Sequence, residues 1–266
     1  MQIHNLAQAA HCAAQGKVGS GFDVAAAVFG SCVYRRFTPG VLEEVGDAGS
    51  AGFGGRLRKA VDTTWDLEVG KKTVPKGLRI VMGDVDCGSS TPGMVRKVLA
   101  WRKEKGEEAE KVWREIQSAN KGLIELFEKA EEVSGTVEYA EALKAYAAGE
   151  EGVGGVLGEI ERQIGVIRKL IREMGEAAGV EIEPPTQTKL LDEGVASAKG
   201  VLGGVVPGAG GYDAVVFLVV DNDETVSNLK AFLASYSFGG EGSSRVTALG
   251  TREEHQGVKQ EDPTGY

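Results

Sequence analysis

The longest uninterrupted apolar run in the sequence, Ala214–Val220, is seven residues long and contains four valines. It is far short of the roughly 18–20 residues that span a bilayer as a helix. It is also shorter than an average helix of about 11 residues, so it reads as a fully buried β-strand. Its flanks agree. Pro207–Asp213, before it, is a run of small and turn-forming residues, and Asp221, Asp223 and Glu224, after it, place carboxylates where a helix would begin. A buried strand needs partners, and Leu78–Gly83, Val201–Val206 and Arg245–Leu249 supply candidates. Residues 102–180 are helical in composition. One stripe runs through Trp113, Ile116, Leu123, Ile124, Leu126 and Phe127, and another through Val153, Val156, Leu157, Ile160, Ile164, Ile167, Leu170, Ile171 and Met174. Both are expected to face a core, with Arg102–Lys111 as a solvated helix connection. A further helix is expected over Gln187–Lys199. Strands mixed with helices in this way indicate an α+β or α/β chain.

Near the start, Ile3, Leu6, Ala7, Ala10 and Ala14 recur at helical spacing, and Gly16 is placed to stop that helix. A glycine-rich turn follows over 16–23, then a short apolar helix over Asp23–Gly30 and a strand-like alternation over Ser31–Thr38. Residues 39–56 read as a surface loop or irregular hairpin. Thirty-nine of 266 residues are glycine, about twice the usual share and without the Gly-X-Y period of collagen. Many positions must therefore require a positive φ or a close backbone approach.

A net charge of −9 argues against a general polyanion-binding surface, so nucleic acid is not an expected partner. Cys12, Cys32 and Cys87 are odd in number and lack CxxC spacing. They read as reduced thiols in a cytoplasmic protein rather than a disulfide framework or zinc site. Met1–Ala14 lacks the basic region and strongly apolar core of a secretory signal, and neither a membrane span nor a bound metal is expected.

Several motifs fail on inspection. Gly208–Asp213 imitates a dinucleotide loop but opens a strand-like segment rather than a helix. Gly70–Thr73 imitates a P-loop, yet Trp65 stands where its first glycine belongs and Lys72 where Ser or Thr belongs. Asp221, Asp223 and Thr225 begin a calcium-loop pattern that Val226 and Phe232 break. Asp84 and Asp86 share one face of a strand end, as an acid/base or metal pair or simply as a hydrated terminus. His4, His11 and His255 stand near no recognisable nucleophile.

Two segments survive. In Gln15–Ala27, three glycines turn N–H groups toward a possible anion, Lys17 and Ser20 add donors, and Asp23 begins a helix. This arrangement suits phosphoryl transfer, and it equally suits an N-capping Asp after a flexible loop. In Val205–Asp213, small residues allow either close approach of a ligand to main chain or a tight connection between core strands.

Together these segments resemble the GHMP kinase superfamily and, within it, the phosphomevalonate kinases of fungal type. The resemblance is carried by Ala10–Phe37, by Glu183, Pro184, Gln187, Thr188, Leu190, Leu191 and Asp192 with the Pro207–Asp213 turn, and by the loop Gly88–Val95. It implies a GHMP kinase-like α+β fold. Residues 1–70 would be an incomplete N-terminal, ribosomal protein S5-like domain, and residues 71–266 a two-layer α/β C-terminal domain with a helical insertion over about 102–180. It further implies ATP, with Mg2+, as cofactor and transfer of the γ-phosphoryl to 5-phosphomevalonate, giving 5-diphosphomevalonate for isoprenoid and sterol synthesis. Asp23 matches the catalytic aspartate, and Lys17, Gly19 and Ser20 fall in the acceptor-side loop. Gly208, Ala209, Gly210 and Gly211 match the third motif, and Ser89, Ser90 and Thr91 lie in a loop near the substrates. The family's first two motifs, including the Gly/Ser-rich ATP loop, would precede Asp23, and nothing resembling them is present. Gly52–Gly55 and Gly239–Gly242 lack the helix and serine placement to substitute. The chain therefore resembles the C-terminal part of such an enzyme, with little turnover expected from it alone. Another superfamily enzyme, such as a mevalonate kinase or diphosphomevalonate decarboxylase, and a noncatalytic binding module are the alternatives.

Overall fold

The computed structural model describes residues 1–87, 91–150, 152–238 and 245–261. The chain forms two compact units, one of residues 1–73 with 253–266 and one of residues 74–252. The tail, expected with the second unit, belongs to the first. It packs on the first because Ser31 N–H donates to Glu254 O at 2.9 Å and Val258 N–H to Val28 O at 3.0 Å.

The first unit contains α1 (Gln2–Gln15), α2 (Phe22–Phe29), β1 (Cys32–Arg35), α3 (Gly40–Glu43), α4 (Phe53–Asp62) and β2 (Glu68–Lys71). α1 stops as expected at Gly16, whose φ of 65° is left-handed, and Lys17 N–H closes the end on Cys12 O. The buried face of α1 is not the expected one. His4, Asn5, Gln8, Ala9 and Cys12 are buried, while Ile3 and Leu6 are exposed. Polar side chains face inward because they have work there. Asn5 Nδ2 donates to Val61 O and Thr63 O, satisfying carbonyls at the end of α4, and the His4 ring lies among Phe29, Tyr34 and Trp65. Burial pushes the His4 imidazole below its usual pKa. The apolar core is built from Ala9, Cys12, Phe37, Leu42, Val45 and Trp65.

Within residues 39–56, expected as a loop, α3 and the start of α4 are helical. The intervening turns are fastened by one guanidinium. Arg56 Nε donates to Val45 O, Nη1 to Ala51 O and Nη2 to Ser50 Oγ. β2 pairs antiparallel with β1 from Cys32↔Lys71 to Arg35↔Glu68, which puts the P-loop-like Gly70 and Lys71 in a strand.

The second unit contains β3 (Leu78–Val85), α5 (Thr91–Lys105), α6 (Glu107–Val133), α7 (Val137–Ala148), α8 (Gly155–Ala178), α9 (Pro185–Ser197), β4 (Val201–Val205), β5 (Ala214–Val220), α10 (Asp223–Ser235) and β6 (Val246–Ala248). Its sheet is antiparallel throughout, in the order β4-β5-β3-β6. β5 is the predicted buried strand. Val215, Phe217 and Val219 enter a core with Leu190 and Leu191 of α9 and Leu229 and Leu233 of α10. Leu218 and Val220 enter another with Tyr139 and Tyr146 of α7 and Leu157, Ile160 and Ile164 of α8. The sheet and α9–α10 form two layers, and the helical insertion adds a third on the opposite face. α5, α6 and the end of α8 share a further cluster around Trp101, Ala109 and Met174. The expected solvated connection at 102–111 is more ordered than its charges suggest. Arg102 lies 4.4 Å from the Trp113 ring centroid and pairs with Glu110 at 2.6 Å.

Phe217 packs against two glycines. A Cβ on Gly194 of α9 would lie 2.6 Å from the ring, and one on Gly204 of β4 would lie 2.9 Å from it. Phe217→Ala removes the side chain both elements close upon and is expected to cost about 3–5 kcal/mol. Denaturant unfolding checks this; a cost below about 1 kcal/mol would contradict such tight packing.

Candidate active site

The Asp23 segment is a reversal between two helices. Gly16 ends α1, and Gly21, with φ 78°, is the N-cap of α2. Gly21 is buried, and a Cβ there would lie 2.6 Å from Gln8 Oε1 and 3.1 Å from the Tyr34 hydroxyl. The turn can therefore sit down on α1 and β1 only with glycine at its end. Asp23 is consequently not the N-cap, the simpler of the two roles its position allowed. It lies in the first turn, where its Oδ1 accepts from Val24 N–H at 2.9 Å.

The other carboxylate oxygen has a partner that sequence reasoning missed. His11 Nε2 is 2.9 Å from Asp23 Oδ2, with side-chain exposures of 33% and 48% respectively. The partner of this histidine is a carboxylate rather than a nucleophile. The signal that could have found the pair is the stop at Gly16, which turns the next helix back along the last turns of α1. Lys17 and Ser20 are exposed and Gly19 half-buried. Lys17 makes no ion pair among the described residues. Burial, with the Asp23 charge among the smaller contributions, pushes the Tyr34 phenol up. A mainly apolar cleft of about 420 Å³ adjoins the same turn, lined in part by Ala9, Ala13, Gly16, Lys17, Val18 and Leu57.

In the second unit, the turn before β5 is held by the segment leading into α9. Gly211 N–H donates to Ile182 O at 2.8 Å and Gln187 Nε2 to Tyr212 O at 2.8 Å. The Tyr212 hydroxyl donates to Glu181 Oε2 at 2.5 Å. A Cβ on Gly210 would lie 2.4 Å from Ile182 O, so Gly210 and Gly211 serve the tight connection itself. Gly208 is exposed with open space where a Cβ would stand, and Ala209 is half-buried. The supporting segment is fixed by Glu183, whose carboxylate is only 2% exposed. It takes Arg168 Nη2 at 2.7 Å, Arg172 Nη1 at 2.8 Å and the Thr188 hydroxyl at 3.0 Å, while Arg168 Nη1 also reaches Asp192 at 2.7 Å.

Ser89 and Ser90 lie outside the described residues, and Thr91 opens α5. Asp84 and Asp86 are both exposed, and no group of three or more His, Cys, Asp or Glu among the described residues could hold a metal ion. Gly52–Gly55, expected to lack a helix, does open α4. Its nearby Ser50 is nevertheless engaged, donating to Asp47 O and accepting from Arg56. Gly239–Gly242 lies outside the described residues. No helix among the described residues is long and apolar enough to cross a membrane.

The fold is similar to that of two solved structures. It matches the phosphomevalonate kinase of Streptococcus pneumoniae with a TM-score of 0.58 at 15% identity, covering 94% of this chain and 62% of that one. It matches the Lin0012 protein of Listeria innocua with a TM-score of 0.57 at 18% identity, covering 94% and 61%. The sequence narrows the class. The chain is 47% identical over 276 residues to the phosphomevalonate kinase of Aspergillus fumigatus, covering 98% of this chain and 53% of that protein. It is 46% identical over 268 residues to that of Gibberella zeae, covering 99% and 54%, and 37% identical over 279 residues to the peroxisomal phosphomevalonate kinase of Arabidopsis thaliana, covering 96% and 52%. No family model matches the chain. It is thus homologous to fungal phosphomevalonate kinases along nearly its whole length, and it spans about half the length of these curated relatives.

Donation to Glu181 first, and burial second, push the Tyr212 phenol up to about 12. A folded-state value above the unfolded value of about 10 means that this hydroxyl's contribution is complete below pH ~10 and is lost as pH rises through about 12. Burial also raises the Tyr139 and Tyr146 phenols, so phenolate absorbance of Tyr212→Phe should show one fewer late-ionising tyrosine than the parent; an unchanged late amplitude would contradict the assignment.

Proposed function

We propose that this chain carries the acceptor-side part of an ATP-dependent phosphomevalonate kinase, which transfers the γ-phosphoryl group of ATP to 5-phosphomevalonate and yields 5-diphosphomevalonate for isoprenoid and sterol synthesis. The observation that carries this reading is Asp23. Its carboxylate is held in the first turn of α2, beside a glycine turn bearing an uncommitted ammonium at Lys17 and a hydroxyl at Ser20. The relatives named above support it.

The acceptor is itself a phosphate monoester, ionised near neutral pH, so its attacking oxygen has no proton that a base must remove. Catalysis then rests on positioning and charge balance. In this reading Lys17 receives an anionic group of the acceptor, Gly19 and Ser20 shape and line its seat, and Asp23 orients it. Gly208 and Ala209, the outward part of the second turn, are assigned to the substrate, with Gly210 and Gly211 supporting them. By the same resemblance, Ser89, Ser90 and Thr91 are also assigned to the substrate. Mg-ATP supplies the phosphoryl group, and the described residues do not fit a nucleotide cradle: Ser50 is engaged beside Gly52–Gly55, and Gly208–Gly211 leads into a strand. A cytoplasmic location is proposed from a cysteine count that is odd and lacks CxxC spacing.

Titration calorimetry with 5-phosphomevalonate, mevalonate and 5-diphosphomevalonate tests the reading. The chain is expected to prefer 5-phosphomevalonate, and Lys17→Ala to weaken it about ten-fold or more, the scale of one charge-assisted hydrogen bond. Equal affinity for mevalonate, or no binding of any of the three, would contradict it.

A further inference from the structure

We infer that His11 is the positioning residue for the Asp23 carboxylate, fixing its orientation and offsetting its charge where an anionic acceptor enters; this rests on the assignment of Asp23 to the acceptor site. An ionised carboxylate only accepts hydrogen bonds, so the 2.9 Å contact requires the proton on His11 Nε2. With Oδ2 held by His11 and Oδ1 by Val24 N–H, both oxygens are tethered. The terminal torsion of an aspartate is otherwise broad, so two tethers from different directions restrict it to one plane.

The pair is poorly suited to being a stability device. Both side chains are partly open to solvent, and pairs of that kind contribute little to folding. Its geometry is better suited to the ligand. A bare carboxylate beside the seat of a phosphate would repel it, and the His11 N–H draws electron density from the oxygen that causes the repulsion. Lys17 does not serve this purpose, because it makes no ion pair with Asp23. The rigid base of the pair is the glycine reversal, which leaves the last turns of α1 alongside the first turn of α2.

A double-mutant cycle on 5-phosphomevalonate affinity, measured calorimetrically on the full chain, separates this role from a structural one. His11→Ala should weaken binding about ten-fold with Asp23 present and change it less than about two-fold in an Asp23→Asn background, because the charge to be offset is gone. His11→Gln, whose amide N–H can reach the same oxygen, should stay within about three-fold of the parent. Nitrogen-15 spectra should show a protonated His11 Nε2 whose signal moves in Asp23→Asn and on addition of 5-phosphomevalonate. Equal losses on both backgrounds, or no loss with Asp23 intact, would overturn the inference. If the parent chain binds no 5-phosphomevalonate while the Nε2 signal still responds to Asp23→Asn, the acceptor reading fails. The pair is then a surface ion pair, and its role toward the acceptor falls as well. If the signal ignores Asp23→Asn while the parent chain binds, the pairing alone is wrong.

Discussion

Burial of β5 on both faces is the constraint around which the second unit is arranged. A strand with valine, leucine or phenylalanine at six consecutive positions cannot lie at a wet surface on either side. It therefore demands α9 and α10 against one face and α7 and α8 against the other. A Cβ on Gly194 of α9 would crowd the Phe217 ring, and one on Gly204 of β4 would crowd Leu191, the Val216 carbonyl and that ring. The same strand also determines where its incoming turn is delivered. Gly208–Tyr212 must enter β5 beside the segment leading to α9, and the Gly211, Gln187 and Tyr212 hydrogen bonds are the means of attachment.

Glu183 shows how a polar residue can be needed in such a place. One buried carboxylate is matched by two guanidinium groups and a hydroxyl, so the charge costs of burial are offset by several short hydrogen bonds. The result is a stiff segment between α8 and α9, from which the glycine turn hangs. The first unit uses polar burial differently, with Asn5 closing the end of α4 and Arg56 fastening the turns before it.

The features legible in the sequence were those written in local chemistry. The run Ala214–Val220, the stop at Gly16, the stripes of α6 and α8, and the resemblance carried by Gln15–Asp23 depend on spacing and residue type over a few positions. What escaped depends on partners far along the chain. The inward face of α1 is polar because Asn5 serves residues 61 and 63, so apolar periodicity selected the wrong face. α4 was hidden by Gly52, Gly54 and Gly55, and β2 is short, with a single pairing partner to define it. The His11–Asp23 pair crosses a reversal whose geometry is set by two left-handed glycines, and the sequence shows only two residues twelve positions apart.

In the proposed function, the reversal between α1 and α2 is the seat of a phosphorylated acceptor. Backbone amide chemical-shift mapping of the full chain during titration with 5-phosphomevalonate tests it most directly. Saturable shifts are expected at residues 16–23, with His11 and Val24 among the neighbours that respond; shifts confined to other parts of the chain, or none at all, would rule this seat out.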